Sequence, residues 1–192
     1  MKFFFNVIFC SLFFSACLAQ HKLESPGTLL NLVYRNQLAY YNTKIEDKDN
    51  YVSIINFAGK ERIKITQPAK TLIKSGNFTI LEGFSPAWGN FVGLIWSGKN
   101  ALLYKRTSID KRFILKKINL NSNVIKKLTG IDLYLFNKIN SWDVSYINAL
   151  KSKIGMSVPD GYNFIATKVT TNQGEKKSKI ETIAFEQFID EK

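Results

Sequence analysis

Residues 91–106, FVGLIWSGKNALLYKR, decide the fold class of this chain. Apolar side chains alternate in the first half, so Val92, Leu94 and Trp96 would point to one face of an extended strand. Gly98 can adopt the positive φ that a tight turn requires, and a second apolar run follows it. The stretch therefore predicts an antiparallel hairpin.

Other short runs rich in aromatic and β-branched residues alternate with turn-forming segments, which predicts more strands. These runs are residues 51–57, 62–66, 77–81, 112–120, 133–138, 164–171 and 177–185. The last run also fits a helical spacing through Ile180, Ile183, Ala184 and Phe188, so a helix stays open as an alternative there.

Helical patterns occur in three places. Residues 28–41 place apolar side chains on one helical face, although residues 38–45 also fit a strand. Residues 122–130 and 141–155 predict two further helices, each with a serine at its start and a glycine at its end. The whole pattern predicts one α+β domain over residues 28–192, with a mainly antiparallel sheet and two or three helices.

The N-terminal segment has the composition of a secretory signal peptide. One charge at Lys2 precedes an apolar run over residues 3–18, and polar sequence follows at once. This run is shorter than the roughly 20 apolar residues that span a bilayer. We therefore expect residues 1–19 to be a signal peptide, residues 20–27 to be a leader, and the protein to be periplasmic or extracellular.

Two processing routes fit the small residues at the end of this segment. Cleavage after Ala19 would leave Gln20 as the N-terminus and would remove both cysteines, so the product would contain no disulfide. Alternatively, residues 14–17, FSAC, resemble a bacterial lipobox with Phe in place of the usual Leu. That resemblance implies that Cys17 would carry lipid and hold the protein at the outer membrane, and membrane contact is expected only on this route.

The sequence lacks the residues of the common catalytic sites. Its single histidine, His21, lies in the leader, which argues against Ser-His-Asp catalysis and against His- or Cys-based metal sites. It also lacks a glycine-rich phosphate loop, so we expect no metal and no cofactor. Asp132, Asp143 and Asp160 could serve a carboxylate-based hydrolase, but turns and element ends explain each of them. The sequence favours a protein without catalytic activity over an enzyme.

Three aromatic residues are candidate ligand contacts. Trp88 lies beside Gly89 in a loop. With Trp96 and Tyr104 on the following hairpin, it could line a concave pocket for a small apolar ligand or a sugar. The alternative is that Trp88 packs over the end of the sheet.

The chain is strongly basic, with 27 Lys and Arg against 15 Asp and Glu and a formal charge of +12. Basic pairs are spread from the middle to the end of the sequence, and they would attract an anionic surface or polymer. The signal peptide argues against nucleic acid as the partner. The sequence thus favours an exported, non-catalytic binding or envelope-interaction protein. An accessory lipoprotein anchored through Cys17 and a carboxylate-based hydrolase remain as alternatives.

Overall fold

The computed structural model describes residues 25–44, 48–85, 89–106, 112–120, 133–153, 162–172 and 177–187. Its helices are α1 (Pro26–Lys44), α2 (Lys48–Ile65), α3 (Lys70–Ile73), α4 (Leu133–Asn140) and α5 (Val144–Lys153). Its strands are β1 (Phe78–Ser85), β2 (Asn90–Ser97), β3 (Asn100–Arg106), β4 (Phe113–Asn119), β5 (Tyr162–Thr170) and β6 (Lys179–Gln187). Ser25 caps α1, since its hydroxyl accepts the backbone N–H of Thr28 at 3.2 Å.

The strands form one antiparallel sheet with the order β4-β3-β2-β1-β5-β6. β1 to β4 are a meander, and the chain then returns past α4 and α5 so that β5 pairs with the free side of β1. The predicted α+β class with a mainly antiparallel sheet is confirmed. The described residues contain five helices, where two or three were expected.

Side chains alternate along each strand, so the sheet has two apolar faces. Ile80, Ile95 and Leu102 lie on the face covered by α1, α2 and α3. Leu81 and Trp96 lie on the opposite face, against α4 and α5. The described residues therefore form three layers, with the sheet between two layers of helices.

Two glycines in the sheet leave space for aromatic rings of neighbouring strands. Gly93 lies opposite Tyr104, and a Cβ at Gly93 would be 2.2 Å from that ring. Gly83 lies opposite Phe164, and a Cβ at Gly83 would be 2.3 Å from the Phe164 ring on the other face. Both rings are fully buried, so a strand shifted by one residue would place a side chain where a ring must lie.

Most of the predicted strands are present. The hairpin over residues 91–106 is confirmed as β2 and β3, with Gly98 at φ 59° in the turn. Residues 177–185 contribute to β6, so the helical alternative for that run is wrong. Three further predictions are confirmed as strands, namely residues 77–81, 112–120 and 164–171.

Three predicted strands are wrong, because residues 51–57 and 62–65 lie in α2, Thr66 follows in a turn, and residues 133–138 lie in α4. Ile55 and Ile65 are fully buried and lie on one helical face of α2. The apolar and β-branched residues of these runs thus reflect burial of a helix face and not an extended backbone.

The helical predictions are largely confirmed. Residues 28–41 lie in α1, which continues to Lys44 and excludes a strand over residues 38–44. α5 covers most of residues 141–155. The helix over residues 122–130 and the signal peptide fall outside the described residues. Within the described ranges, no helix has the length and apolar character needed to cross a bilayer.

Candidate functional site

Strands β3 and β4 carry a concentration of positive charge, which we call the basic edge and define by Lys99, Lys105, Lys116 and Lys117. The register pairs Leu103 with Lys116, so Lys105 and Lys116 lie diagonally on one face of the strand pair. Lys117 points to the other face, and Lys99 lies in the β2–β3 turn. Basic residues that look dispersed in the sequence therefore lie along one side of the sheet, on both of its faces.

Few acidic residues oppose this charge. Residues 99–127 contain nine basic residues and one acidic residue, Asp110. Lys116 and Lys117 are exposed, whereas Arg106 is engaged by the carboxylate of Glu61 at 3.2 Å. β4 also exposes apolar surface among its lysines, since its two central apolar side chains, Ile114 and Leu115, are 36% and 38% exposed.

A cavity of about 390 Å³ opens beside the basic edge. Lys117, Thr71 and Asn100 are among the residues that line it. A lysine next to hydroxyl and amide groups can hold a phosphate or carboxylate, because it supplies both charge and hydrogen-bond donors. The basic edge thus combines exposed cations with a concave polar surface.

A second polar feature, the buried polar cluster, consists of Gln37, Arg62, Glu82, Tyr104 and Thr167 between the sheet and the first two helices. Arg62 donates from Nε to Glu82 Oε1 at 2.7 Å, and its Nη2 donates to Glu82 Oε2 and Gln37 Oε1. The Tyr104 hydroxyl donates to Glu82 Oε1 at 2.7 Å. Gln37 Nε2 donates to the Thr167 hydroxyl at 3.0 Å, so side chains of two helices and three strands are joined.

The environment of the cluster fixes its charges. Burial lowers the pKa of Arg62, but the charge and hydrogen bonds of Glu82 outweigh that effect and the net pKa is raised. Burial, and then the charge of Glu82, raise the pKa of the Tyr104 hydroxyl well above its usual range. Arg62 is therefore a cation and Tyr104 a neutral donor. Arg62 Nη1 is buried without a hydrogen-bond partner among the described residues.

Gln37, Arg62 and Glu82 were not among the residues predicted to form a site. The sequence does contain a signal for Glu82, because this acid lies between Ile80 and Phe84 on one face of a strand. An acid at such a position needs a buried partner, since an unpaired charge in the core is costly. The partner itself could not be identified, because residues 62–66 were predicted to be a strand.

The predicted aromatic site is placed as follows. Trp96 lies on the α4–α5 face, where Nε1 donates to Asn140 Oδ1 at 2.8 Å. Tyr104 lies on the opposite face, in the buried polar cluster. The structure therefore does not bring these two side chains together, and both are buried. Trp88 and Cys17 lie outside the described residues, and their roles stay predictions.

Of the three predicted candidate acids, Asp143 is described and has a structural role. It accepts the backbone N–H of Tyr146 at 3.1 Å at the start of α5 and pairs with Lys138 at 2.8 Å. The Lys138 hydrogen bond, and then that of Tyr146, lower the pKa of Asp143 from its ordinary value of 3.8. Asp132 and Asp160 lie outside the described residues. Among the described side chains, no group of three or more His, Cys, Asp and Glu residues is placed to hold a metal ion.

The chain matches no protein-family model, no curated protein and no solved structure.

Proposed function

We propose that this protein is an exported, non-catalytic envelope-interaction protein that binds an anionic polymer or surface through the basic edge. The observation that carries the proposal is the concentration of lysines on β3 and β4, where Lys116 and Lys117 are exposed. Such a surface attracts phosphate and carboxylate groups over a Debye length of about 10 Å at 0.1 M salt. The signal peptide predicted from the sequence supports export, and an exported protein would meet the acidic lipids and glycans of an envelope.

The described acidic side chains support a binding role over catalysis. Glu61, Glu82, Asp143 and Glu181 each take part in an ion pair, and these are the acidic side chains whose placement is described. A general base or a nucleophilic carboxylate must be available to a substrate. A carboxylate-based hydrolase therefore finds no support in the described part of the chain.

A charge-removal experiment tests the proposal. The double variant Lys116→Gln/Lys117→Gln removes two exposed charges from the basic edge without touching the apolar cores. A lysine near an anionic lipid surface contributes about 1 kcal/mol, so we expect binding to weaken roughly thirtyfold. Binding is measured by co-sedimentation with vesicles that contain an anionic lipid and, separately, with an immobilised acidic polysaccharide. The two arms distinguish a lipid surface from a polymer as the source of the anionic groups.

The matched control is Lys177→Gln/Lys179→Gln, which removes the same charge at the opposite side of the sheet. Lys177 is exposed, and Lys179 makes an exposed ion pair that contributes little to stability. We expect the control to bind nearly as well as the wild type. Equal loss in the two variants, or binding that does not weaken as salt rises from about 0.05 M to 0.5 M, would show that the basic edge is not the binding surface.

Mass spectrometry of the processed N-terminus tests export and decides between the two processing routes. A chain that begins at Gln20, free or cyclised to pyroglutamate, indicates a soluble exported protein. A diacylated Cys17 indicates the accessory lipoprotein, in which lipid and not charge would hold the protein at the membrane. Retention of Met1 in the mature protein would contradict both routes.

A further inference from the structure

A cleft of about 550 Å³ lies between α1 and α2. Its walls include Leu30 and Tyr34 of α1 and Asn56, Lys60 and Ile63 of α2, and Arg62 also lines it. The volume is in the range of sites for small organic molecules. The α1–α2 cleft is separate from the basic edge, and the binding proposed for that edge does not involve it.

Close contact of the two helices shapes the cleft. The ring of Tyr34 lies 3.1 Å from the position that a Cβ on Gly59 would occupy, so the ring rests against the backbone of α2. The Tyr34 hydroxyl donates to Asn56 Oδ1 at 2.7 Å and orients the Asn56 side chain. The amide nitrogen of Asn56 then remains as a donor at the cleft.

Among the described residues, the charges around the α1–α2 cleft sum to one positive charge. Lys60 and Arg62 contribute two cations, and Glu82, which pairs with Arg62 from the sheet, contributes one anion. Among the described lining residues there is no acidic side chain. A ligand with one negative charge would therefore balance the site.

Hydrogen bonding and apolar surface at the cleft point to the same class of ligand. Arg62 lines the cleft and its Nη1 is buried without an acceptor among the described residues, so a ligand carboxylate at Lys60 would lie near a second cationic group. Ile63 is 76% exposed beside the cleft, although it is a large apolar side chain. An apolar ligand body packed on Ile63 would remove this surface from water.

We propose that the α1–α2 cleft binds a small organic acid, with its carboxylate toward Lys60 and Arg62 and its apolar body against Ile63. The probe is octanoate, and its neutral analogue octanamide has the same length and no charge. We expect saturable binding of octanoate by the purified protein, with amide chemical-shift changes confined to the two cleft helices. Octanamide should bind at least about tenfold more weakly, because it loses the charge-assisted hydrogen bonds.

Two exposed positions provide variants that leave the cores intact. Lys60→Gln should weaken octanoate binding about tenfold and leave octanamide binding nearly unchanged. Ile63→Ser should weaken both probes, about fivefold, because each loses the same apolar contact. Lys177→Gln is the matched control for the lost charge and should bind octanoate like the wild type.

The inference is overturned if octanoate does not bind up to about 10 mM, or if its shift changes lie away from the cleft. It is also overturned if octanamide binds as tightly as octanoate. The outcome is independent of the basic edge, since Lys116→Gln/Lys117→Gln should bind octanoate normally even where vesicle binding is lost.

Discussion

Replacing Arg62 by methionine should be among the most damaging single changes in the described part of the chain. Arg62 and Glu82 have side chains that are 3% and 0% exposed, and they neutralise each other inside the fold. Methionine has a similar length and fills the space but carries no charge. In Arg62→Met, the carboxylate of Glu82 keeps the Tyr104 hydroxyl and Gln37 as partners and loses its only described counter-charge.

The size of the effect follows from that geometry. Removal of one partner of a buried ion pair costs about 3–5 kcal/mol, whereas a domain has a total stability of about 5–15 kcal/mol. Arg62→Met/Glu82→Gln removes the stranded charge and keeps an oxygen acceptor for Tyr104. We therefore expect the double variant to be about 2 kcal/mol more stable than the single variant. Lys64→Met breaks the ion pair to Glu61, but Lys64 is 47% exposed, so its cost should stay below about 1 kcal/mol.

Urea unfolding followed by far-UV circular dichroism measures these differences. With a slope of about 2 kcal/mol per molar urea, a loss of 4 kcal/mol lowers the midpoint by about 2 M. The reasoning is refuted if Arg62→Met lowers the free energy of unfolding by less than about 1 kcal/mol. It is also refuted if the double variant is no more stable than Arg62→Met, because the stranded charge would then not be the cause.

Three further outcomes are expected. Gly93→Ala should lower the free energy of unfolding by about 3 kcal/mol in urea titrations, because the new Cβ would clash with the Tyr104 ring. Gly98→Asn should lower it by less than about 0.5 kcal/mol, because Gly98 lies in open space at φ 59°, a conformation that Asn tolerates. The lowered pKa of Asp143 means that its carboxylate stabilises the fold above about pH 4 and that this stabilisation is lost as pH falls through the folded-state pKa. Asp143→Asn should therefore be less stable than the wild type at about pH 6, and the difference should shrink as pH falls below about 4, as measured by thermal unfolding. The raised pKa of Tyr104 keeps the folded phenol neutral, so stability should fall as pH rises above about 10, and Tyr104→Phe should show a shallower fall in alkaline unfolding experiments.

The sheet could be predicted from the sequence wherever turn residues separate short apolar runs. The hairpin over residues 91–106 has both signals, because Val92, Leu94 and Trp96 alternate and Gly98 permits the turn. α2 could not be predicted in the same way. Its β-branched residues favour an extended backbone locally. The helical face becomes apparent only from the spacing of the buried residues Ile55 and Ile65 in the sequence.

The candidate sites depend on contacts that no local pattern contains. The basic edge exists because β3 and β4 are adjacent, which brings Lys105 near Lys116. The cleft forms between α1 and α2, so it could not be predicted while residues 62–66 were expected to be a strand. Charge and composition therefore indicated an anionic partner, whereas the position of the contact surface required the tertiary structure.

The pairing of β1 with β5 has a consequence for the order in which the molecule assembles. β1 meets β2 through a short connection, but its other neighbour begins only at Tyr162. In a chain that is still emerging from the ribosome or from a translocation channel, β1 has an unpaired edge until β5 and β6 are available. The hydrogen bond from Gln37 to Thr167 can likewise form only at that stage. Nascent or truncated chains that end before Tyr162 would therefore expose a strand ready to pair with other chains, and their fate would depend on a chaperone.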